Sequence, residues 1–270
     1  MEKINLVCKV GSTALLNKSR TRIDRSVFKN IASGMTANDV LVTSGAVEMG
    51  KLEVLRLGKD LAGFTKNRLA SGGHDLVLAE YRKHFRKDLF VNGLLIEHWH
   101  LNDTERRDAL RKFIIDGIKV GSISVINYND ALDNAELRKM EIADIRSKGG
   151  KAFDGTDNDE TAVSVAKLVR AKRLLLLTQL GGIRKNKDDG RTHIHEIYGR
   201  TIEETISKIR ECQKFCNGAS REGAFGAGAK LEYVIDAVRN GIEVFIGDAR
   251  NDIRDTLNGR AKSTRIAVER

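Results

Sequence analysis

Four short apolar runs, each closed by a cluster of small or polar residues, constrain this chain more than any other feature of it. Residues 4–10 precede Gly11-Ser12-Thr13, and residues 40–42 precede Thr43-Ser44-Gly45-Ala46. Residues 122–126 precede Asn127-Tyr128-Asn129-Asp130, and residues 173–177 precede Thr178-Gln179-Leu180-Gly181-Gly182. An apolar run with little polar alternation is a strand covered on both faces, and such strands belong to parallel sheets.

The intervening sequence reads as helices. Ile23, Val27, Ile31 and Met35 recur four apart, which is the period of one helix face. A helix is expected after Ala46 with Val47 and Leu55 turned inward, and another over 60–86, broken at Ser71-Gly72-Gly73. Residues 103–119 form an amphipathic helix capped by Asp103 or Thr104. Helices also follow at 159–170, 201–216 and 229–240. Strands are expected at 90–96, 243–246 and 264–268, a hairpin or loop region at 184–198, and a polar excursion from the core at 132–156. Strands alternating with helices make an α/β protein around a mostly parallel sheet. Neither an internal repeat nor a dividing linker is present.

In open α/β sheets, ligands bind beyond the carboxyl ends of the strands. All four polar clusters fall at such ends, so together they point to a cleft along one sheet edge. The P-loop pattern is absent, and no G-x-G-x-x-G follows the first strand, which excludes the two commonest nucleotide fingerprints. The glycine-rich stretch 218–228 precedes a helix. It is either a phosphate site at a helix start or a solvated surface loop.

Composition narrows the function classes. Of 270 residues, 31% are charged and the net charge is +10, but only 5% are aromatic. Lys and Arg are spread along the chain and stacking platforms are scarce, which disfavours a nucleic-acid module. A basic balance also suits an enzyme for anionic substrates. No apolar run is long enough to cross a bilayer, and Met1-Glu2-Lys3-Ile4-Asn5 lacks a leader-like apolar segment. A cytoplasmic protein is expected. Cys8, Cys212 and Cys216 are too few and odd in number for a disulfide framework. With His193 and His195, the last two cysteines match no compact zinc spacing, so reduced thiols are the simpler reading. Proline is absent, where average usage near 5% would give roughly a dozen. Turns must then rest on the 25 glycines and on Asn and Asp.

The clusters resemble, in order, landmarks of the amino-acid kinase family, and within it the glutamate 5-kinases. Lys9-Val10-Gly11-Ser12-Thr13 resembles the first-strand lysine–glycine motif. Residues 41–47 followed by Gly50 resemble the substrate loop. Residues 125–130 resemble the I-N-E-N-D segment, and Gly155-Thr156-Asp157-Asn158-Asp159 resembles G-D-N-D with one extra residue. Residues 174–178 match the apolar strand that ends in Thr-Asp, and residues 223–230 resemble the glycine-rich loop that closes on a lysine.

The resemblance implies a single three-layer α/β/α domain. Residues 1–155 would serve glutamate and residues 156–270 the nucleotide. It further implies ATP-dependent phosphorylation of L-glutamate to L-glutamyl 5-phosphate, the first step of proline synthesis, with Mg²⁺ as cofactor, self-association, and proline as a feedback inhibitor. Lys9 and Lys230 would flank the transferred phosphoryl group, with Asp159 holding both. Ser44, Gly45, Ala46, Asn127, Asp130 and Asn158 would hold glutamate. Gly11, Thr178, Gln179, Gly223, Gly226 and Lys230 would face the nucleotide. It corresponds to the short form without the C-terminal PUA domain.

Each residue also has a plainer reading. Lys9 can reach water from a strand end, and Lys230 can be a solvated helix residue. Asp157 and Asp159 can cap the next helix. Ser44, Asn127 and Asp130 are common turn formers.

The sequence departs from the family at Gln179, where an aspartate is expected, and at Phe225 and Ala229 in the glycine-rich loop. Asn67 and His74 stand where glutamines are usual. The stretch 132–156 is longer than expected. These departures keep two alternatives open: a sister kinase acting on another acid or phosphate, and an amino-acid-binding domain with impaired catalysis.

Overall fold

The structure, a computed structural model, describes residues 3–150, 152–155, 157–186, 189–215 and 226–269. In chain order the first elements are β1 (Leu6–Val10), α1 (Arg25–Gly34), β2 (Asp39–Thr43), α2 (Ala46–Arg56), α3 (Lys66–His84) and β3 (Phe90–Ile96). Next come α4 (Trp99–Asn102), α5 (Thr104–Lys119), β4 (Ser122–Tyr128), α6 (Ala135–Ser147), α7 (Asn158–Leu168) and β5 (Arg173–Thr178). A small antiparallel hairpin follows, β6 (Ile183–Arg184) with β7 (His193–Ile194). The chain then runs through β8 (Glu196–Gly199), α8 (Ile202–Gln213), α9 (Gly226–Arg239), β9 (Glu243–Asp248), α10 (Ile253–Leu257) and β10 (Ser263–Val268).

Eight strands form one sheet in the order β3-β4-β2-β1-β5-β9-β10-β8. The first six are mutually parallel. β10 reverses, antiparallel to β9, and β8 lies parallel to β10, so these last two strands run opposite to the other six. Side-chain alternation along each strand divides the interior into two cores. Leu6, Cys8 and Val10 of β1 join Leu41, Leu175 and Leu177 beneath α1, α3 and α10. Val7 joins Val40, Val42, Leu174 and Leu176 beneath α5, α7, α8 and α9. The result is the expected three-layer α/β/α sandwich with a mostly parallel centre.

Three expectations need correction. Helix α3 runs unbroken through Ser71-Gly72-Gly73. Gly73 serves close packing instead: a Cβ there would lie 1.8 Å from the Ala46 carbonyl oxygen, and one on Gly50 of α2 would lie 2.0 Å from that of Leu69. The backbones of α2 and α3 therefore approach more nearly than any side chain would allow. This also sets the rotation of α2, whose buried face is Ala46, Met49, Gly50 and Val54, while Leu55 is turned to solvent. The polar stretch after residue 132 holds α6, capped by Asn134 and burying Arg138 and Ile142, and Phe153 beyond it enters the core.

Among the described helices of this proline-free chain, seven start on polar caps. Asp24, Thr65, Asp103, Asn134, Asp157, Thr201 and Asp252 each accept a backbone N–H in the first turn of the helix that follows. Each such cap contributes about 1 kcal/mol.

Candidate active site

Strand parity places the first functional group. Lys9 lies on the same face of β1 as Val7, the face covered by α7 and α9. There its ammonium meets Asp159 in the first turn of α7, with Lys9 Nζ 2.7 Å from Asp159 Oδ1. Lys230 of α9 reaches the other oxygen, Asp159 Oδ2, in a short charge-assisted hydrogen bond. The N-cap of α7 is Asp157, which accepts the Asp159 N–H at 2.8 Å and so fixes the carboxylate that follows. Asp157 is thus a cap and Asp159 an ion-pair partner, which divides the two readings of this pair.

All three charges are largely removed from water, with side-chain exposures of 9% for Lys9, 8% for Asp159 and 14% for Lys230. One carboxylate between two ammonium groups leaves one positive charge in surplus. Burial by itself would raise the Asp159 carboxyl, but Lys230 and Lys9 outweigh it and hold it well below the usual carboxylate range. Burial lowers the Lys230 ammonium, Lys9 acts in the same direction, and Asp159 opposes them. Gly11 lies beside this cluster, since a Cβ there would be 3.8 Å from Lys9 Nζ.

Next to the cluster, β2 ends in the loop that starts α2. Thr43 Oγ1 bonds the Ser44 carbonyl at 3.1 Å and Tyr81 Oη at 3.3 Å, which anchors the loop to α3. Gly45 caps α2 with φ +103°, where an added Cβ would strike Leu15 at 2.9 Å. A side chain is excluded there on both counts. The first turn of a helix leaves backbone N–H groups without intrahelical partners, which makes it a natural seat for an anion. Asn158 Nδ2 donates to Ser44 Oγ at 2.7 Å, joining this loop to the start of α7.

Beyond β4 lies a cleft of about 180 Å³, lined by Ala46, Ala70, His74, Asn127, Asp130 and neighbouring residues. The Oδ1 atoms of Asn127 and Asn158 are buried without a protein hydrogen-bond partner. Asp130 is paired with Lys66 at 2.9 Å, and Asn67 Nδ2 donates to the Asp130 carbonyl at 2.9 Å. Asn67 therefore still shapes this loop where a glutamine is usual.

At the end of β5, Thr178 stands opposite Asp248 of β9. Gln179 turns toward β1, donating from Nε2 to the Thr13 carbonyl at 2.6 Å, while its own carbonyl accepts from Arg250 at 3.1 Å. It ties the loop after β1 to the loops after β5 and β9. Gly226 opens α9, three residues earlier than its sequence period indicates. Gly223, Phe225 and Cys216 lie outside the described residues, as does most of the glycine-rich stretch.

The amino acid kinase family matches residues 5–248 of this sequence. The chain belongs to that family. Its relatives include the glutamate 5-kinase of Photobacterium profundum, 29% identical over 98% of this chain and 67% of its own length. Glutamate 5-kinase 1 of Bacillus subtilis is 25% identical over 98% of this chain and 70% of its own length. The chain thus spans about two thirds of these relatives. Among solved structures, carbamate kinase from Giardia lamblia bound to AMP-PNP has a TM-score of 0.60 at 13% identity, covering 99% of each chain. At that identity the likeness establishes the shared fold.

As an amino acid kinase the chain brings Lys9, Lys230, Asp159 and Gly11 to one place, with Ser44 and Asn158 joined beside it. Asn127 and Asp130 share the neighbouring cleft, and Thr178 and Gln179 lie across β1 from it. One contributor escapes sequence reasoning. Tyr128 lines the cleft and hydrogen bonds Asp133 at 3.3 Å and Arg138 at 3.4 Å, and Arg138 also pairs with Asp133. The Tyr128 ring explains Gly155, whose Cβ would lie 2.5 Å from it. The only sequence signal is that Tyr128 occupies the glutamate position of the I-N-E-N-D pattern.

The donor set fits a phosphate, with two ammonium groups and a glycine backbone around one spot. It offers no carboxylate cage, since Asp159 is engaged by both lysines and no group of three or more His, Cys, Asp or Glu among the described residues is placed to hold a metal ion. Mg²⁺ fits here as an ion carried largely by nucleotide phosphates and water, as it is in many kinases. No helix among the described residues is long and apolar enough to cross a membrane.

Proposed function

We propose that this protein transfers the γ-phosphoryl group of ATP to the side-chain carboxylate of L-glutamate, forming L-glutamyl 5-phosphate and ADP. The observation that carries this reading is the buried Asp159 carboxylate shared by Lys9 and Lys230. The nucleophile has an ordinary pKa near 4.3 and is ionised at neutral pH, so it needs no general base. What it needs is relief of the repulsion between two anions. A glutamate oxygen forms the new bond to phosphorus as the bond to the β–γ bridging oxygen breaks, and the electron pair leaves with ADP. Lys9 and Lys230 meet the phosphoryl oxygens, the Gly11 N–H assists, and Asp159 keeps both ammonium groups aimed without cancelling them. When bound with ATP, Mg²⁺ offsets phosphate charge.

In this reading residues 1–155 hold the acid and residues 156–270 the nucleotide. Ser44, Gly45, Ala46, Asn127 and Asn158 surround glutamate, and Asp130 receives its α-ammonium. Thr178, Gln179 and Gly226 face the nucleotide. The product places the enzyme at the first step of proline synthesis, in the cytoplasm. Support comes from relatives named glutamate 5-kinase along nearly the whole chain.

The test is ADP release with glutamate, aspartate, carbamate and UMP offered in parallel, with any acyl phosphate trapped as a hydroxamate. ATP-dependent hydroxamate with glutamate alone is expected. Turnover of carbamate or UMP with none of glutamate would assign the site to a sister kinase. Calorimetric binding of glutamate without ATP turnover would assign a regulatory amino-acid domain.

A further inference from the structure

His74 stands in the acid cleft with Nδ1 buried and unpartnered. Asn127, also lining the cleft and 2% exposed, presents a second buried and unpartnered atom, Oδ1. Leaving a polar atom buried without a partner costs about 1–3 kcal/mol, and native proteins leave few. Both atoms belong to residues that line one small cavity, where a ligand would supply the missing partners.

The helix that carries His74 is held firmly. The neighbouring residue is Gly73, whose close approach to the Ala46 carbonyl locks α3 against the start of α2. Ala70, one turn earlier in α3, is buried and lines the same cleft. The backbone that carries the imidazole is therefore fixed relative to the Ser44-Gly45-Ala46 loop. Burial lowers its pKa, with Asp75 opposing, so the ring is neutral at pH 7 and can carry its single proton on Nδ1. The polar lining then divides by type. His74 supplies a donor, and Asn127 Oδ1 and the Asp130 carboxylate supply acceptors.

We propose that His74 is a substrate-contacting residue: its Nδ1–H donates to the α-carboxylate of the acid, while Asn127 Oδ1 and Asp130 receive the α-ammonium. This rests on the glutamate reading and deepens it. It makes the cleft selective for a free α-amino acid over a dicarboxylate without the amine or one with a blocked nitrogen.

Two measurements test it. In the hydroxamate assay, His74→Ala is expected to raise the KM for glutamate about tenfold and leave kcat and the KM for ATP within about twofold, the pattern of lost uniform binding. His74→Gln, which restores a donor, should recover most of the loss. An unchanged glutamate KM in a folded His74→Ala protein overturns the proposal. The second measurement uses the wild-type protein and needs no turnover. With six histidines in the chain, the His74 imidazole signal can be assigned by substitution and followed during titration with glutamate, aspartate, glutarate and N-acetylglutamate. A shift with glutamate or aspartate that is absent or much weaker with glutarate and N-acetylglutamate supports the proposal. No shift with any of the four, or equal shifts with all, overturns it. A protein that forms no hydroxamate but shows the selective shift removes the kinase reading and keeps the His74 contact.

Discussion

Asp159→Asn removes the one negative charge between two buried ammonium groups and keeps the side-chain shape. Breaking a buried ion pair by deleting one partner costs about 3–5 kcal/mol, because a charge is left uncompensated. Here two are left, both under 15% exposed, so the upper part of that range applies. For chains of 150–250 residues, each kcal/mol lowers Tm by about 2–4 °C. At pH 7 the variant should therefore melt roughly 8–20 °C below the wild type. The pH dependence has a definite sign. The Asp159 carboxyl is depressed in the folded state, so its stabilisation is complete above the unfolded value near 3.9 and is lost as pH falls through the lower folded value. The gap between variant and wild type should hold from pH 7 to about 5 and narrow below about 4.

A second substitution makes the reasoning refutable. Lys9→Met added to Asp159→Asn removes one of the orphaned charges, so the double variant should melt higher than Asp159→Asn alone, with a coupling of about 0.5–3 kcal/mol. Thermal melts followed by circular dichroism, at pH 7 and pH 4, measure all of this. An Asp159→Asn protein that melts within about 2 °C of wild type at pH 7, or a double variant less stable than the single, would show that the three charges are not interlocked.

Lys9→Ala should lower kcat by about 10²–10³, the effect of removing one donor to developing negative charge, with glutamate affinity within about twofold; equal loss of both, measured by steady-state kinetics and calorimetry, would make Lys9 a folding residue. Gly73→Ala should destabilise by about 1–3 kcal/mol through overpacking and raise the glutamate KM by displacing Ala46. Gly72→Ala, which meets nothing within 4 Å, should be neutral or stabilise by up to about 1 kcal/mol; thermal melts of the pair check both.

Much of this layout is legible in the sequence because parallel strands declare themselves. β1, β2, β4 and β5 are apolar runs buried on both faces, and each small or polar cluster after them falls at the same sheet edge. Lys9 is legible too, as an ammonium inside an apolar run that only a partner makes tolerable. The partner's identity is not local information. Asp159 and Lys230 meet Lys9 across 150 and more residues of chain, and only resemblance to a family brought the three together. The glycines of α3 mislead for a related reason. Local propensity treats glycine as a helix breaker, yet Gly73 answers to the Ala46 carbonyl of another helix. The inward face of α2 misleads by the same route, since contact with α3 rather than hydrophobicity sets its rotation and leaves Leu55 in solvent. Tyr128 and Arg138 have no sequence signal beyond a tyrosine in an unusual place.

Charge and geometry at Asp159 can be separated by one more substitution. Two carboxylates would cancel the two ammonium groups, and none would let them repel. One carboxylate holds them while leaving a surplus charge for an anionic phosphoryl group. If the surplus alone mattered, any carboxylate within reach would serve. Asp159→Glu keeps the charge but lengthens the arm by one methylene, which displaces both ammonium groups from their present positions around the strand end. Misplacement of about 1 Å costs on the order of 10²-fold in rate. Asp159→Glu should therefore stay far more stable than Asp159→Asn in thermal melts, yet lose about two orders of magnitude in kcat by hydroxamate formation. Full activity in that variant would mean that charge suffices and that the alignment of Lys9 and Lys230 on opposite oxygens is incidental. A variant as unstable as Asp159→Asn would mean that the buried site tolerates no other carboxylate geometry.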